Sequence, residues 1–581
     1  MAEVQPPDLL PWTEVLRLLL PSLRRRWRIL AGLLLLLLAA LLCNYISPLV
    51  QRYFVDKVLI ERSYPQFWPT LLILVGLTLA GMAAQSLQFY GNSRLGVSVS
   101  LDLQRFFTGH LLRLPSDFFD SAGSAYLSGR FTRDLAELRP LYSGAVFNLL
   151  SIALQFIGGG VLLCYFEWRL FVLAATAAIL LYCLNRRFVR KQFELAWKQQ
   201  EASAVTHGKL QESFSNIKLV KTSAREAETQ GKLLDQFSEI YKLNLSALNL
   251  TVIRREIIRA IPLGCRGILL AVGAWYVVKG ILSPGALLAL QAYFNMLLRP
   301  AVNLGYLECN LQQSRAAAAR LRALEKQLPE VNLESGRILE HLSGDVKFEQ
   351  VTFGYRPGQP VLRELTLEIN PGEMVAVVGP SGVGKSTLAA LLLRLYRPES
   401  GRIRLDGNDL AEIKLQSLRD KIGYVSTKPQ LLDDTLRANL QFGNPSVGDA
   451  AMLELFQRTG SEDILTALGG LDGKLGEAGS RLSAGQRLRI TIIRELLRNV
   501  DMMILDEPSA TLDGRLEQQI AQLLHRELAG RTVIIITHRQ SLMQMAQRVV
   551  MLQDGRVAAD GTYETLLRES AAFRALLAQL S

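Results

Sequence analysis

Gly379-Pro380-Ser381-Gly382-Val383-Gly384-Lys385-Ser386-Thr387 is the stretch on which the reading of this chain turns. It matches GxxxxGK[ST], the phosphate-binding pattern called Walker A. The pattern is short enough to arise by chance, so its neighbours decide. Met374-Val375-Ala376-Val377-Val378 before it is an apolar run of the kind a buried strand makes. Leu388-Ala389-Ala390-Leu391-Leu392-Leu393 after it reads as helix. Strand, glycine loop and helix in that order predict an α/β phosphate site. The glycines let backbone N–H groups wrap phosphate oxygens, and the helix N-terminus favours their charge. Lys385 is placed to reach the β and γ phosphates, and the Ser386 hydroxyl to ligate Mg²⁺.

Two further stretches complete the reading. Met502-Met503-Ile504-Leu505-Asp506-Glu507 is an apolar strand ending in two carboxylates, the Walker B form. Asp506 supports Mg²⁺ there, and Glu507 polarises the attacking water. Leu482-Ser483-Ala484-Gly485-Gln486 precedes a helical run, Arg487 to Leu497. Ser483 and the backbone N–H groups around it therefore stand at a helix N-terminus, suited to a γ-phosphate. With the other two motifs, this stretch strongly resembles the signature of ATP-binding cassettes, usually LSGGQ, with Ala484 replacing the first glycine.

The resemblance covers essentially the whole chain, and it carries expectations of its own. In that family the signature of one subunit completes the ATP site of the other, which implies a dimer with two nucleotides at its interface. Tyr355 resembles the aromatic that stacks on adenine. Asp513, in Ser509-Ala510-Thr511-Leu512-Asp513, resembles the D-loop aspartate. His538, ending Val533-Ile534-Ile535-Ile536-Thr537, resembles the switch histidine that contacts the γ-phosphate. Leu475-Gly476-Glu477-Ala478-Gly479 is similar to the segment before the signature that touches transmembrane helices in exporters. One position departs from the pattern. Ile422-Gly423-Tyr424-Val425-Ser426 leads into Thr427, where the family usually has the Q-loop glutamine. Thr427 is too short for the same reach, and Gln430 stands three residues on.

The first half of the chain is of a different kind. Apolar runs fall at roughly Ile29–Val50, Phe67–Tyr90, Leu141–Phe166, Trp168–Leu184, Ile257–Val278 and Pro284–Leu307. Each is near the ~20 residues that cross a bilayer. Only Glu167-Trp168-Arg169 separates the third from the fourth. Basic clusters flank the runs: Arg24-Arg25-Arg26-Trp27-Arg28 before the first, and Arg186-Arg187-Phe188-Val189-Arg190-Lys191 after the fourth. This positive-inside pattern predicts cytoplasmic N- and C-termini. The two inside connections, about Gly91–Pro140 and Asn185–Glu256, are long and charged. They predict helices that run on into the cytoplasm and return, with breaks at Pro115–Gly123 and around Gly208–Arg225. Leu114 to Asp120, then Gly123 and Arg130 to Asp134, resembles the first coupling helix of exporters. Gly280 to Gly285 and Leu298-Arg299-Pro300 resemble their fifth-to-sixth hairpin and sixth helix.

Composition closes off other classes. The chain has 581 residues, 49% of them hydrophobic, and a net charge of +12. Nucleic-acid binding is excluded as a reading, because the positive charge sits beside apolar runs with no basic stripe interleaved with stacking aromatics. Cys43, Cys164, Cys183, Cys265 and Cys309 lie in or beside apolar segments, with no metal-ligand spacing. Met1 to Leu20 carries Glu3, Asp8 and Glu14 and no basic run, so no cleaved leader is expected.

The fold class expected is a six-helix α-helical membrane domain with long cytoplasmic extensions, joined to an α/β P-loop ATPase domain. Residues 1–27 form a cytoplasmic segment, 28–328 the membrane domain, 329–344 a linker and 345–581 the ATPase. The expected function is ATP-driven export or flipping, by alternating access, of an amphipathic substrate (lipid-like, peptide or drug) by a homodimer of the inner membrane. An ATP-binding regulatory or channel-like protein, or one half of a heterodimer, fits the same motifs. At 1.5 Å per residue, Arg266 lies about 20 Å from Lys279 and Arg299 about 22 Å from Pro284, at similar depth in the inner half of the bilayer. They are the candidate substrate residues, for an anionic headgroup or carboxylate, with snorkelling or pairing to Glu256 or Glu308 as the alternative.

Overall fold

The structure, a computed structural model, describes residues 11–122, 124–356, 358–508 and 514–580. The chain divides into two compact units: residues up to Leu111 with Ala125–Gln327, and Leu112–Ser124 with Leu328–Ser581.

The first unit is helical. The helices up to residue 325 are α1 (Trp12–Arg24), α2 (Trp27–Tyr53), α3 (Tyr64–Leu111), α4 (Ser116–Ala122), α5 (Ser124–Pro140), α6 (Val146–Phe166), α7 (Trp168–Ser215), α8 (Ile217–Thr222), α9 (Glu226–Val278) and α10 (Pro284–Glu325), and of these α4 is part of the second unit. Helix α3 and helix α7 each have 48 residues, about 72 Å at 1.5 Å per residue. That is more than twice the ~30 Å hydrocarbon thickness. Among the described residues, five helical stretches are long and apolar enough to cross a membrane: Trp27–Ile60, Tyr64–Leu111, Phe131–Phe166, Trp168–Ser215 and Glu226–Val278. The sixth expected span, on α10, falls short of that measure because Gln291, Asn295 and Arg299 interrupt its apolar run. It is nonetheless the centre of the packing. Tyr293, Phe294 and Leu297 of α10 are buried against Leu163, Leu170, Leu181 and Leu269 from α6, α7 and α9. Toward its C-terminal end, Arg320 holds Asp134 at 2.6 Å and Glu137 at 2.9 Å on α5.

The breaks differ in detail from the sequence reading. A single residue, Glu167, separates α6 from α7. Leu141–Ala145 is a kinked turn, with Gly144 at φ +136°, and α6 begins after it at Val146, inside the long apolar stretch Phe131–Phe166. Gly208 lies inside α7, and the far break is at Asn216 and Ser223–Arg225, with Ala224 at φ +52°. A glycine facing open space in a long helix does not stop it.

The second unit contains β1 (Val346–Phe353), β2 (Leu362–Ile369), β3 (Met374–Val378), β4 (Ser400–Leu405), β5 (Asn408–Asp409), β6 (Ile422–Val425), β7 (Met502–Asp506), β8 (Thr532–Ile536), β9 (Arg548–Gln553) and β10 (Arg556–Gly561). One sheet runs β2-β1-β4-β5, and the other β10-β9-β3-β8-β7-β6. In the larger sheet β9, β3, β8, β7 and β6 are parallel. Strands β3, β7 and β8 are buried along their whole length, which is why they read as unbroken apolar runs rather than alternating ones. Because they are parallel and adjacent, their C-terminal ends open on one edge, where ligands of α/β sheets bind.

Candidate functional site

The loop after β3 is shaped by its glycines. Gly379 has φ +148°, and a Cβ there would lie 2.4 Å from the Leu552 carbonyl oxygen. Gly384, at φ +106°, caps the helix Lys385–Leu392. Pro380, Ser381 and Gly382 form the exposed outer bend, and Val383 packs onto the core beneath. The Lys385 ammonium donates to the Gly379 carbonyl at 2.8 Å and the Pro380 carbonyl at 2.9 Å. Burial pushes its pKa below the ordinary lysine value, against the pull of Glu507 and Asp506. An ammonium held in this way is poorly solvated and exchanges loop carbonyls readily for phosphate oxygens.

The carboxylates come from the neighbouring strands. Asp506 ends β7, and its Oδ1 accepts from the Ser386 hydroxyl at 3.0 Å. Burial pushes the Asp506 carboxyl up, partly offset by that hydrogen bond. Glu507 follows at φ +51°, its N–H donating to the Ile536 carbonyl of β8 at 2.8 Å. This bend turns the Glu507 side chain toward the loop after β8, where its Oε1 lies 3.5 Å from His538 Nδ1. Strands β3, β7 and β8 thus bring Lys385, Ser386, Asp506, Glu507 and His538 together.

The structure adds a residue that the sequence reading missed. Tyr424 of β6 donates its hydroxyl to Asp506 Oδ2 at 3.4 Å. Its own pKa is raised by burial and by the adjacent carboxylate. Only the strand order β7-β6 places it there, and no local motif marks it. Thr427, three residues later, is exposed, as is Gln430.

Tyr355 is 52% exposed and stands edge-on to Phe353 and Tyr396, each at 5.1 Å. Its hydroxyl meets Thr387 Oγ1 at 3.2 Å, which anchors the ring beside the loop with one face open. Tyr396 in turn donates to Asp120 of α4, so the stretch read as a coupling helix is tied to the same aromatic group.

Ser483 caps the helix Ala484–Leu497 in a reciprocal box. Gln486 N–H donates to Ser483 Oγ at 3.2 Å, and Ser483 N–H donates to Gln486 Oε1 at 3.0 Å. Gly485 is buried within the first turn. Among the described residues, no hydrogen bond joins Ser483–Gln486 to the Lys385–Asp506 group. Asp513 lies outside the described residues.

These residues fit a Mg²⁺-nucleotide. Mg²⁺ usually takes one or two protein oxygens and completes its shell with phosphate and water. The Ser386–Asp506 pair is a donor set of that kind. Among the described residues there is no group of three His, Cys, Asp or Glu side chains that would hold a metal by itself.

In the membrane unit, Arg266 and Arg299 are both exposed. With the Gln291 amide oxygen turned toward it, Arg266 donates to that oxygen from Nε at 2.5 Å. Glu256 pairs instead with Arg259 at 3.9 Å, and Glu308 with Arg186 at 3.0 Å.

Comparison with known proteins agrees with this geometry. The family model for the ABC transporter transmembrane region matches residues 30–301, and that for the ABC transporter ATPase region, described as ABC transporter, matches residues 362–510. An ATP-dependent lipid A-core flippase of Escherichia coli is 30% identical over 586 residues, covering 99% of this chain and 98% of the relative. One of Syntrophus aciditrophicus is 29% identical over 538 residues, covering 92% and 88%. The solved structure of a bacterial Atm1-family ABC exporter with ATP bound has the same fold, with a TM-score of 0.83 at 24% identity, covering 95% of this chain and 98% of that one.

Proposed function

The chain belongs to the ABC transporter family and is a multi-pass membrane exporter driven by ATP; from that premise we propose that it moves a lipid-like amphiphile across the bacterial inner membrane as a homodimer. The observation that carries this reading is the convergence of Lys385, Ser386, Asp506, Glu507 and His538 at the ends of three adjacent parallel strands. Tyr355 presents an open aromatic face for adenine. The loop N–H groups and Lys385 bind the phosphates. Ser386 and Asp506 would hold Mg²⁺, which would neutralise phosphate charge when bound. Glu507 accepts the proton of the attacking water, and His538 fixes the orientation of that carboxylate. Tyr424 holds the second oxygen of Asp506, which keeps the first directed at Ser386.

Among the described residues, no hydrogen bond ties Ser483 and its following N–H groups to this group. A helix N-terminus with spare donors suits the γ-phosphate of a nucleotide held by a second copy, which supports the dimer. The arginine cluster before α2 supports cytoplasmic N- and C-termini. The lipid-like substrate rests on the named flippases, which resemble the chain along nearly its whole length. The test is purification of the chain alone into lipid nanodiscs, with its mass and its ATP hydrolysis measured. A dimer whose hydrolysis rises with added amphiphile supports the reading. A monomer, or a dimer that binds ATP without hydrolysing it, contradicts it.

A further inference from the structure

Helix α6 carries three internal polar side chains with hydrogen-bonding amides or hydroxyls, Asn148, Ser151 and Gln155. Helix α10 carries Asn303, Tyr306 and Asn310. The two sets have the same i, i+3, i+7 spacing, which puts each on a single helix face. Both faces line one cavity of about 350 Å³. An adjoining cavity of about 320 Å³ shares Asn148, Leu307 and Asn310. Such volumes are within the range of small-molecule sites. Among the described residues of both walls Arg139 is the one charged side chain, and it belongs to the adjoining cavity. Arg266 and Arg299 line neither.

Polar groups in membrane helices face a cavity or a partner, because lipid offers them nothing. Gln155 uses one donor on Ser151 at 2.8 Å. Among the described residues, the amides of Asn148, Asn303 and Asn310 have no side-chain hydrogen bond. Tyr306 is engaged from behind: its hydroxyl accepts from buried Arg254, whose guanidinium also lies 4.3 Å from the ring centre. The phenol oxygen is therefore taken as acceptor, and its proton remains to donate into the cavity.

We propose that this cavity selects an amphiphile with an uncharged, hydroxyl-rich headgroup, of the sugar or polyol type; the proposal rests on the transporter reading above. An amide both donates and accepts, and so does a hydroxyl. A fully ionised phosphate or carboxylate only accepts, and would leave each amide oxygen facing it without a partner. A wall whose described residues include amides, no carboxylate and one peripheral arginine matches the first chemistry better than the second.

The test uses the full-length protein, extracted in a detergent without a sugar head and placed in phosphatidylcholine nanodiscs. ATP hydrolysis is measured with added monoglucosyl diacylglycerol, phosphatidic acid or free methyl glucoside. Half-maximal stimulation at the lowest concentration with the glucolipid supports the proposal. Equal responses to glucolipid and phosphatidic acid, a preference for phosphatidic acid, or no response to any probe overturns it. Methyl glucoside reproducing the full effect upholds the site chemistry and places its source in solution rather than in the membrane. Asn303→Leu and Asn148→Leu should each weaken glucolipid stimulation by roughly two- to tenfold, the range of one lost hydrogen bond. They should leave the response to phosphatidic acid unchanged. Variants that respond to glucolipid as wild type does also overturn the proposal, and the wild-type comparison stands even if a variant does not fold. Wild type that hydrolyses no ATP at all is a failure of the transporter reading instead.

Discussion

Glu507→Gln removes a proton acceptor and leaves everything else at that position in place. Glutamine has the same length and volume. The φ of +51° is set by the backbone bond from Glu507 N–H to Ile536, which survives the change. The Oε1 that stands 3.5 Å from His538 Nδ1 has a counterpart in the amide. What is lost is general-base catalysis, worth about 10²- to 10⁴-fold, or about 3 to 5 kcal/mol in the barrier. ATP affinity should hold or rise. Glu507 is one of the two carboxylates that interact with the Lys385 ammonium, and removing it leaves that charge freer for phosphate. The assay pairs phosphate release with equilibrium binding of a fluorescent ATP analogue, both in nanodiscs. A variant that releases phosphate within about threefold of wild type would refute Glu507 as the base. One that loses both hydrolysis and binding would show that the residue is structural.

Lys385→Ala takes the cation out of the loop, and binding and hydrolysis should both fall by tenfold or more, roughly the 1.5–3 kcal/mol of a charge-assisted contact, in the same pair of assays. Thr427→Gln restores the usual reach of the Q-loop, and basal hydrolysis should be equal or higher; a clear loss would mean that Thr427 belongs to a differently wired loop. Asp506→Asn should abolish Mg²⁺-dependent hydrolysis and yet raise the melting temperature of the nucleotide-free protein at neutral pH by roughly 2–4 °C. The sign follows from burial. The folded-state pKa of Asp506 is raised, so its ionised form costs stability at neutral pH, and that cost disappears as pH falls through the raised value. The gap between variant and wild type should therefore close on acidification; a variant that melts lower at neutral pH contradicts the burial argument.

How much of this was legible in the sequence follows from what was local. Asp506 and Glu507 end an apolar run that reads directly as a buried strand, and Lys385 and Ser386 close a glycine pattern that starts where another such run stops. The capping role of Ser483 is likewise written in the spacing Ser-x-x-Gln. Tyr424 was not legible, because its approach to Asp506 depends on which strand lies beside β7. The pairing of Arg266 with Gln291 joins two helices whose relative rotation no sequence pattern fixes. The sixth span, Pro284–Leu307, reads as an apolar run of bilayer length although Gln291, Asn295 and Arg299 weaken its signal. Gln291 meets Arg266 of α9, while apolar neighbours such as Tyr293, Phe294 and Leu297 are buried, so hydropathy alone underrates the helix. Leu112–Ser124 was read with the membrane domain by chain order, whereas its packing is with the second unit.

The claim at the centre of the account is that ATP hydrolysis at this site moves an amphiphile across a bilayer. The direct measurement is leaflet exchange in proteoliposomes that contain the purified chain and a trace of fluorescent lipid, with a membrane-impermeant quencher reporting which leaflet the label occupies. With Mg²⁺ and ATP, wild type should shift the label between leaflets faster than protein-free vesicles. The Glu507→Gln protein should not. Movement at the same rate with and without ATP, or equal movement by the Glu507→Gln protein, would contradict the account.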